Sequence, residues 1–235
     1  MKIAIISDLH ANLEALLALP RDYDELWVLG DLVNYGPNPA EVIDFVRANA
    51  SAVVRGNHDN SVAFDVDCRC SPRFRQMAEA TGIYGSSVLG PGDKQFLREL
   101  PMRIWRTVEG KRFLLCHATP SDPLFEYRPP DSPLWAQAEE TSAGADVILA
   151  GHTHLQFVRT FGGRTVANPG SLGQSKSGDY RARYAVWQDG EIRLCALEYP
   201  VEATVAKILS LPIRENIKAE LASVLRTGKV PPADR

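Results

Sequence analysis

Lys2-Ile3-Ala4-Ile5-Ile6-Ser7-Asp8-Leu9-His10 opens on a β-rich apolar run and ends on a carboxylate and an imidazole two positions apart. The same construction recurs along the chain. Residues 26–29 run into Gly30-Asp31, residues 52–54 into Arg55-Gly56-Asn57-His58-Asp59, residues 113–116 into His117, and residues 147–150 into Gly151-His152-Thr153-His154. Amphipathic stretches separate the first three runs. One covers residues 12–19, with leucines at 13, 16, 17 and 19 and Asn12 placed to cap it; the other covers 39–48 and is entered through Pro39. Strands alternating with such helices imply βαβ crossovers and a mainly parallel sheet. In open sheets of that kind the functional crevice lies at the carboxyl ends of the strands.

All five histidines of the 235-residue chain fall at these strand ends: His10, His58, His117, His152 and His154. Asp8, Asp31, Asn57 and Asp59 accompany them. One histidine in such a place is most often structural, but the whole complement gathered this way points to a metal centre. Asp8 and His10 are two apart, as are His152 and His154, and on extended backbone such residues face the same side. Each pair is therefore expected to point into one site. Glycines 30, 56 and 151 allow the backbone to approach a ligand closely. The donors are imidazole nitrogens with carboxylate and amide oxygens and no thiolate, which suits Mn, Fe, Zn or Ni better than Ca or Mg. Seven ligands exceed one tetrahedral zinc and fit two ions sharing a carboxylate.

Composition closes off other classes. The chain is 45% hydrophobic and 23% charged with a net charge of −3, so it offers no electrostatic footprint for a membrane surface or for nucleic acid. Its apolar runs fall far below the ~18 residues of a membrane span. One lysine, a four-residue apolar run and then Ser7-Asp8 do not read as a signal peptide, so a cytoplasmic location is expected. No Cys-x-x-Cys pair occurs; Cys68 and Cys70 are expected to be surface loop thiols in a reducing compartment, and Cys116 and Cys195 are isolated.

The remaining pattern gives helical segments at 73–81 and 92–100, punctuated by glycines 82, 85, 90 and 92. Short strands are expected at 102–107, 111–116, 147–150, 155–161, 164–167, 183–188 and 191–197, with Gly162-Gly163 and Asp189-Gly190 as hairpin turns. Residues 120–133 form a proline-rich surface excursion. Residues 201–227 read as one or two helices broken at Pro212, and 228–235 as a frayed tail. The expected division is a domain over 1–198, carrying a helical insertion at about 60–100, and a helical extension with its tail over 199–235.

Asp8-x-His10, Gly30-Asp31, Gly56-Asn57-His58-Asp59, His117 and Gly151-His152-x-His154 resemble, in order and in full, the five signature blocks of the calcineurin-like metallophosphoesterase superfamily. Asn168-Pro169-Gly170-Ser171 is similar to a segment of its small bacterial phosphodiesterase branch. The resemblance implies a four-layer α/β/β/α sandwich of two mixed sheets flanked by helices, here with a C-terminal helical appendage. It implies one divalent ion on Asp8, His10, Asp31 and His154 and another on Asp31, Asn57, His117 and His152, most plausibly Mn or Fe, with Zn or Ni open. It also implies in-line hydrolysis of a small phosphate diester or monoester by a hydroxide bridging the ions. His58 would assist the leaving group, with Asp59 the candidate to orient it; the plainer reading of Asp59 is an acid at a helix N-terminus. A rival role is a protein-interaction scaffold on the same fold, which would need neither His58 nor a full ligand set. A homo-oligomer stays open.

Two departures stand out. Ala118 follows His117 where glycine is frequent. Asn34-Tyr35 replace an Asp-Arg pair of the protein phosphatase and dinucleoside tetraphosphatase branch, which removes a phosphate-clamping arginine and argues against that branch. Arg55, Arg181 and Arg183 are the arginines considered for phosphate contact.

Overall fold

A computed structural model describes residues 1–137 and 140–230. Two five-stranded mixed sheets pack face to face. The first has the order β10-β9-β1-β2-β3, from β1 (Ile3–Ile6), β2 (Glu25–Val28), β3 (Ala52–Val53), β9 (Ala182–Gln188) and β10 (Glu191–Leu197). The second has the order β4-β5-β6-β8-β7, from β4 (Arg103–Val108), β5 (Lys111–Cys116), β6 (Val147–Leu149), β7 (Phe157–Phe161) and β8 (Arg164–Asn168). β1, β2 and β3 run parallel, as do β5, β6 and β8, while the other pairings are antiparallel. Each parallel set therefore ends on one edge, and the residues following those ends meet there.

Alternation along the strands divides the interior. Ile3, Ile5, Trp27 and Leu29 of the first sheet face Phe113, Leu115, Val147 and Leu149 of the second. Phe113 is set edge-on between Trp27 and Trp187, with ring centroids at 5.3 and 4.9 Å, and each such pair contributes about 0.5–1.5 kcal/mol beyond area burial. The opposite face of the first sheet, through Ala4, Ile6, Leu26 and Val28, buries against α1 (Leu13–Leu17), α2 (Pro39–Asn49), α3 (Asn57–Phe64) and α5 (Pro91–Glu99). On the second sheet, Leu114, Ile148 and Val166 are covered by Trp135, which stands on a short 3-10 turn at Pro133–Ala136. That outer layer is thin.

Asn12 caps α1 as expected, its side chain accepting from the Ala15 N–H at 3.2 Å. Both expected hairpin turns have positive φ at each central residue, the type I′ geometry that matches strand twist. Two readings change. α4 spans Arg75–Val88, so Gly82 and Gly85 lie inside it rather than ending it. Each helical glycine costs about 1 kcal/mol, whereas burying Met77 and its neighbours returns about 1.5–3 kcal/mol per large apolar side chain. Cys68 and Cys70 are buried, not surface thiols. They pack with Phe74, Tyr35 and α4 against α7 (Glu215–Thr227) and α6 (Val201–Leu209), the two helices expected on either side of Pro212. Gly228 to Val230 follow α7; 231–235 of the expected tail lie outside the described residues.

Candidate metal centre

The edge where the parallel strands end carries the site. β1 delivers Asp8 and His10, β2 delivers Asp31, β5 delivers His117 and β6 delivers His152 and His154. Asn57 and His58 come from the first turn of α3, which follows β3 directly. The expected extended backbone is absent: Asp8, His10, Asp31, His152 and His154 all have φ between 47° and 66°. Left-handed backbone costs a non-glycine residue on the order of 1–3 kcal/mol and persists only where the surroundings impose it. Here the surroundings are tight. A Cβ on Gly56 would lie 2.1 Å from Asp31 Oδ1, and one on Gly151 would lie 1.9 Å from Ser7 Oγ. Asn168 and Ser171 brace these loops, the first donating to Gly151 O and the second to Asp8 O.

Two clusters form. In each, one ligand atom from Asp8, His10 and His154, or from Asp31, His117 and His152, lies within 4.8 Å of the others. His152 and His154 thus serve neighbouring clusters instead of one, because the left-handed turn between them removes strand alternation. Asp31 joins the two: its Oδ2 is 3.3 Å from His117 Nε2 and 3.9 Å from His10 Nε2. Asn57 Oδ1 lies 3.0 Å from His117 Nε2, while its amide donates to Cys68 O. All seven side chains are buried.

The ring protonation fits a cation. His10, His117 and His154 each place Nδ1 against a backbone carbonyl, of Val33, Leu29 and Gln174 respectively. A carbonyl only accepts, so each Nδ1 carries a proton and Nε2 is the nitrogen turned to the cluster, free to coordinate once it is unprotonated. His10 Nε2 and His154 Nε2 then face each other at 3.2 Å, as do His117 Nε2 and His152 Nδ1. Asp8 Oδ1 is buried beside the first pair with no hydrogen-bond partner. The facing lone pairs of His10 and His154 and the orphaned carboxylate oxygen are what a bound cation satisfies. Burial holds His10, His152 and His154 well below the usual imidazole value and lifts Asp8 to about 7. For His117 burial opposes the charged ring, but the Asp31 carboxylate outweighs it and raises the group to about 9.

His58 differs from the other four histidines. The Asn34 amide stands 2.9 Å from its Nδ1, and with that amide donating, the His58 proton sits on Nε2. The His58 backbone N–H donates to Asp31 Oδ1 at 2.9 Å, which leaves Oδ2 facing the clusters. Asp59, the candidate orienter, is engaged elsewhere. Its Oδ2 accepts from the N–H groups of Asp31 and Gly56, and its Oδ1 from Leu32. As a first-turn acid of α3, Asp59 ties the start of that helix to the end of β2. Asn34 takes the place beside the imidazole.

A cleft of about 610 Å³ opens beside the clusters, lined among others by Phe74, Tyr127, Thr153 and Lys176. Its size lies within the usual range of ligand pockets. The Tyr127 ring lies 3.9 Å from the His152 ring, carried there by the proline-rich excursion. Lys176 Nζ is 3.3 Å from His154 Nε2, and burial lowers its ammonium to about 8. The arginines considered from sequence point elsewhere. Arg55 donates to Arg98 O and lies over Phe64, and Arg181 and Arg183 both bind Asp179. Tyr127 and Lys176 were not singled out from sequence, and Asn34 only as a departure from the Asp-Arg pair, not as a partner of His58. For Lys176 the available signal was its position five residues beyond Ser171, in the segment that closes over the strand ends.

The sequence model of the calcineurin-like phosphoesterase superfamily domain matches residues 1–188. An uncharacterized protein of Methanocaldococcus jannaschii is 30% identical over 88% of this chain and 91% of its own length. A symmetrical bis(5'-nucleosyl)-tetraphosphatase of Psychromonas ingrahamii is 26% identical over 86% of this chain and 70% of its own. The likeness thus reaches the tetraphosphatases despite Asn34-Tyr35. Among solved structures, a metallophosphoesterase from Sphaerobacter thermophilus superposes with a TM-score of 0.81 at 29% identity, covering 97% of this chain and 99% of that one. A hypothetical protein from Pyrococcus horikoshii shares the fold, with a TM-score of 0.82 at 18% identity over 98% and 99% of the two chains. Sequence, fold and the paired Asp/His clusters agree: the chain belongs to the calcineurin-like phosphoesterase superfamily and is a hydrolase acting on phosphate ester bonds.

Proposed function

We propose that the protein is a two-metal phosphodiesterase acting on a small phosphate ester. Asp8, His10, Asp31 and His154 hold one divalent ion, and Asp31, Asn57, His117 and His152 hold the other, with Mn or Fe favoured by the mixed nitrogen and oxygen donors. The observation that carries this reading is the set of Nδ1–carbonyl hydrogen bonds, which turns three imidazole Nε2 atoms toward two clusters joined by Asp31. When bound, the ions supply positive charge that draws in the phosphoryl oxygens and acidify an attacking water. The chain's own groups do the rest. Asp31 is held in place by the His58 N–H, and Tyr127 packs on His152 and borders the cleft. His58 presents Nε2–H to the leaving oxygen and hydrogen-bonds the negative charge that develops there as the phosphorus–oxygen bond breaks, while the Asn34 amide keeps the ring in the donating tautomer.

The test is turnover of bis(p-nitrophenyl) phosphate by metal-free protein reconstituted with Mn²⁺, Fe²⁺, Zn²⁺, Ni²⁺ or Mg²⁺. It is followed by a panel of monoesters, linear diesters, cyclic nucleotides and diadenosine tetraphosphate, the last because relatives are named for such compounds. Mn²⁺- or Fe²⁺-dependent diester cleavage is expected. Absence of turnover with every metal and every ester refutes the reading and favours the scaffold role.

A further inference from the structure

We infer that Lys176 is the phosphate-binding residue of this site, its ammonium taking a non-bridging oxygen of the phosphoryl group. The inference rests on the phosphodiesterase reading above and adds to it a residue that the ligand set does not contain. Three observations carry it.

The first is placement. Leu172 N–H donates to Ser7 O, Gly173 N–H to Asp8 O, and Gln174 O accepts from His154 Nδ1. The segment is thereby stapled to both ligand loops two residues before Lys176. Its Nζ reaches the edge of the Asp8–His10–His154 cluster, 3.3 Å from His154 Nε2, and lies 4.2 Å from the Phe74 ring centroid.

The second is the lack of an ion-pair partner. Among the described residues no carboxylate lies within ion-pairing distance of Lys176. The Phe74 ring and the more distant Asp8 and Asp31 carboxylates compensate this half-buried ammonium only in part, and an anion beside it would complete the pairing. The cleft that Lys176 lines together with Phe74, Tyr127 and Thr153 admits one.

The third is elimination. Tyr35 stands where a clamp arginine would, Arg55, Arg181 and Arg183 are committed to Arg98 O and Asp179, and Arg73, which also lines the cleft, is solvent-exposed, whereas Lys176 is half-buried against His154. An ion held by Asp8, His10 and His154 repels the ammonium, whereas an anion between them is attracted to both. That position is one for a phosphoryl oxygen.

The test is calorimetric binding of inorganic phosphate to Mn²⁺-loaded protein, comparing wild type with Lys176→Met, Lys176→Gln and Lys176→Arg, with the metal content of each measured. Losing one charge-assisted hydrogen bond weakens phosphate binding roughly 10- to 100-fold. Lys176→Met and Lys176→Gln are expected to show that loss with metal content unchanged. Lys176→Arg should stay within about threefold of wild type, since it keeps the donor and the charge. KM for bis(p-nitrophenyl) phosphate should rise in step with phosphate affinity. Unchanged phosphate affinity in both neutral variants overturns the inference. So does loss of metal in either, which would make Lys176 part of the metal site. If Lys176→Met fails to fold, Lys176→Gln decides. A wild type that binds phosphate through Lys176 yet cleaves no diester sinks the phosphodiesterase reading alone.

Discussion

Replacing Asp59 with asparagine separates a positioning role from a direct role at His58. The Asp59 carboxylate is fully buried and accepts three backbone N–H groups, from Asp31 at 2.8 Å, Leu32 at 2.7 Å and Gly56 at 2.9 Å. An amide has one acceptor oxygen. In its better orientation that oxygen keeps the Asp31 and Gly56 donors, and the NH2 faces the Leu32 N–H, donor against donor. One hydrogen bond to a charged acceptor is lost, at about 1.5–3 kcal/mol, and one buried donor is orphaned, at about 1–3 kcal/mol. Part of this is offset. Burial first, and the nearby Asp31 second, raise the Asp59 carboxyl to about 6, so removing the charge relieves some repulsion. A net destabilisation of roughly 3 kcal/mol follows. For a chain of this length that lowers Tm by about 6–12 °C. Thermal unfolding of metal-free wild type and Asp59→Asn, followed by circular dichroism, reads the shift, and steady-state kinetics of the Mn²⁺-loaded forms reads activity. A Tm within a degree of wild type together with a hundredfold loss in kcat would show Asp59 acting on His58 itself and refute the reasoning.

His58→Ala should keep both metals and lose ~10²–10⁴ in kcat on a diester with an alkyl leaving group, and near-full turnover on that ester would remove His58 from the leaving-group role. Gly151→Ala forces a Cβ to 1.9 Å from Ser7 Oγ and 3.0 Å from Asp8 Oδ2, so the β6 loop must move. Metal content should fall, with partial recovery in the Ser7→Ala/Gly151→Ala double variant; full metal content in the single variant contradicts the packing argument. Metal uptake should release protons. In the metal-free site His117 titrates at about 9 and Asp8 at about 7, so near neutral pH His117, and Asp8 in part, give up protons as a metal enters. Mn²⁺ affinity is therefore expected to rise with pH between 6 and 9, and calorimetry in buffers of different ionisation enthalpy that detects no proton release rejects this.

The strand-end positions were legible because a parallel strand and its following loop form a local pattern: an apolar run, a glycine, then a ligand. Gly30-Asp31 and Gly151-His152 carry it within two residues. The route by which paired residues reach their clusters was not legible. Asp8 and His10 converge through left-handed backbone, and His152 and His154 part company through the same conformation, which spacing alone does not encode. Contacts between distant segments were hidden as well. Asn34 meets His58 across 24 positions, and Lys176 meets His154 across 22 through a loop whose course depends on backbone hydrogen bonds to residues 7 and 8. Asp59 illustrates the converse. Its place beside His58 in sequence suggested an orienter, yet at the start of a helix that place aims the carboxylate at backbone N–H groups. Cys68 and Cys70 looked exposed because the helices that cover them lie more than a hundred residues on.

The central claim is that two divalent ions bind side by side with Asp31 shared between them. Electron paramagnetic resonance of the protein reconstituted with Mn²⁺ and freed of excess metal tests it directly, with the metal content taken on the same sample. The account predicts two Mn per chain and the spectrum of an exchange-coupled pair. One Mn per chain, or two giving only the six-line spectrum of isolated ions, would contradict it.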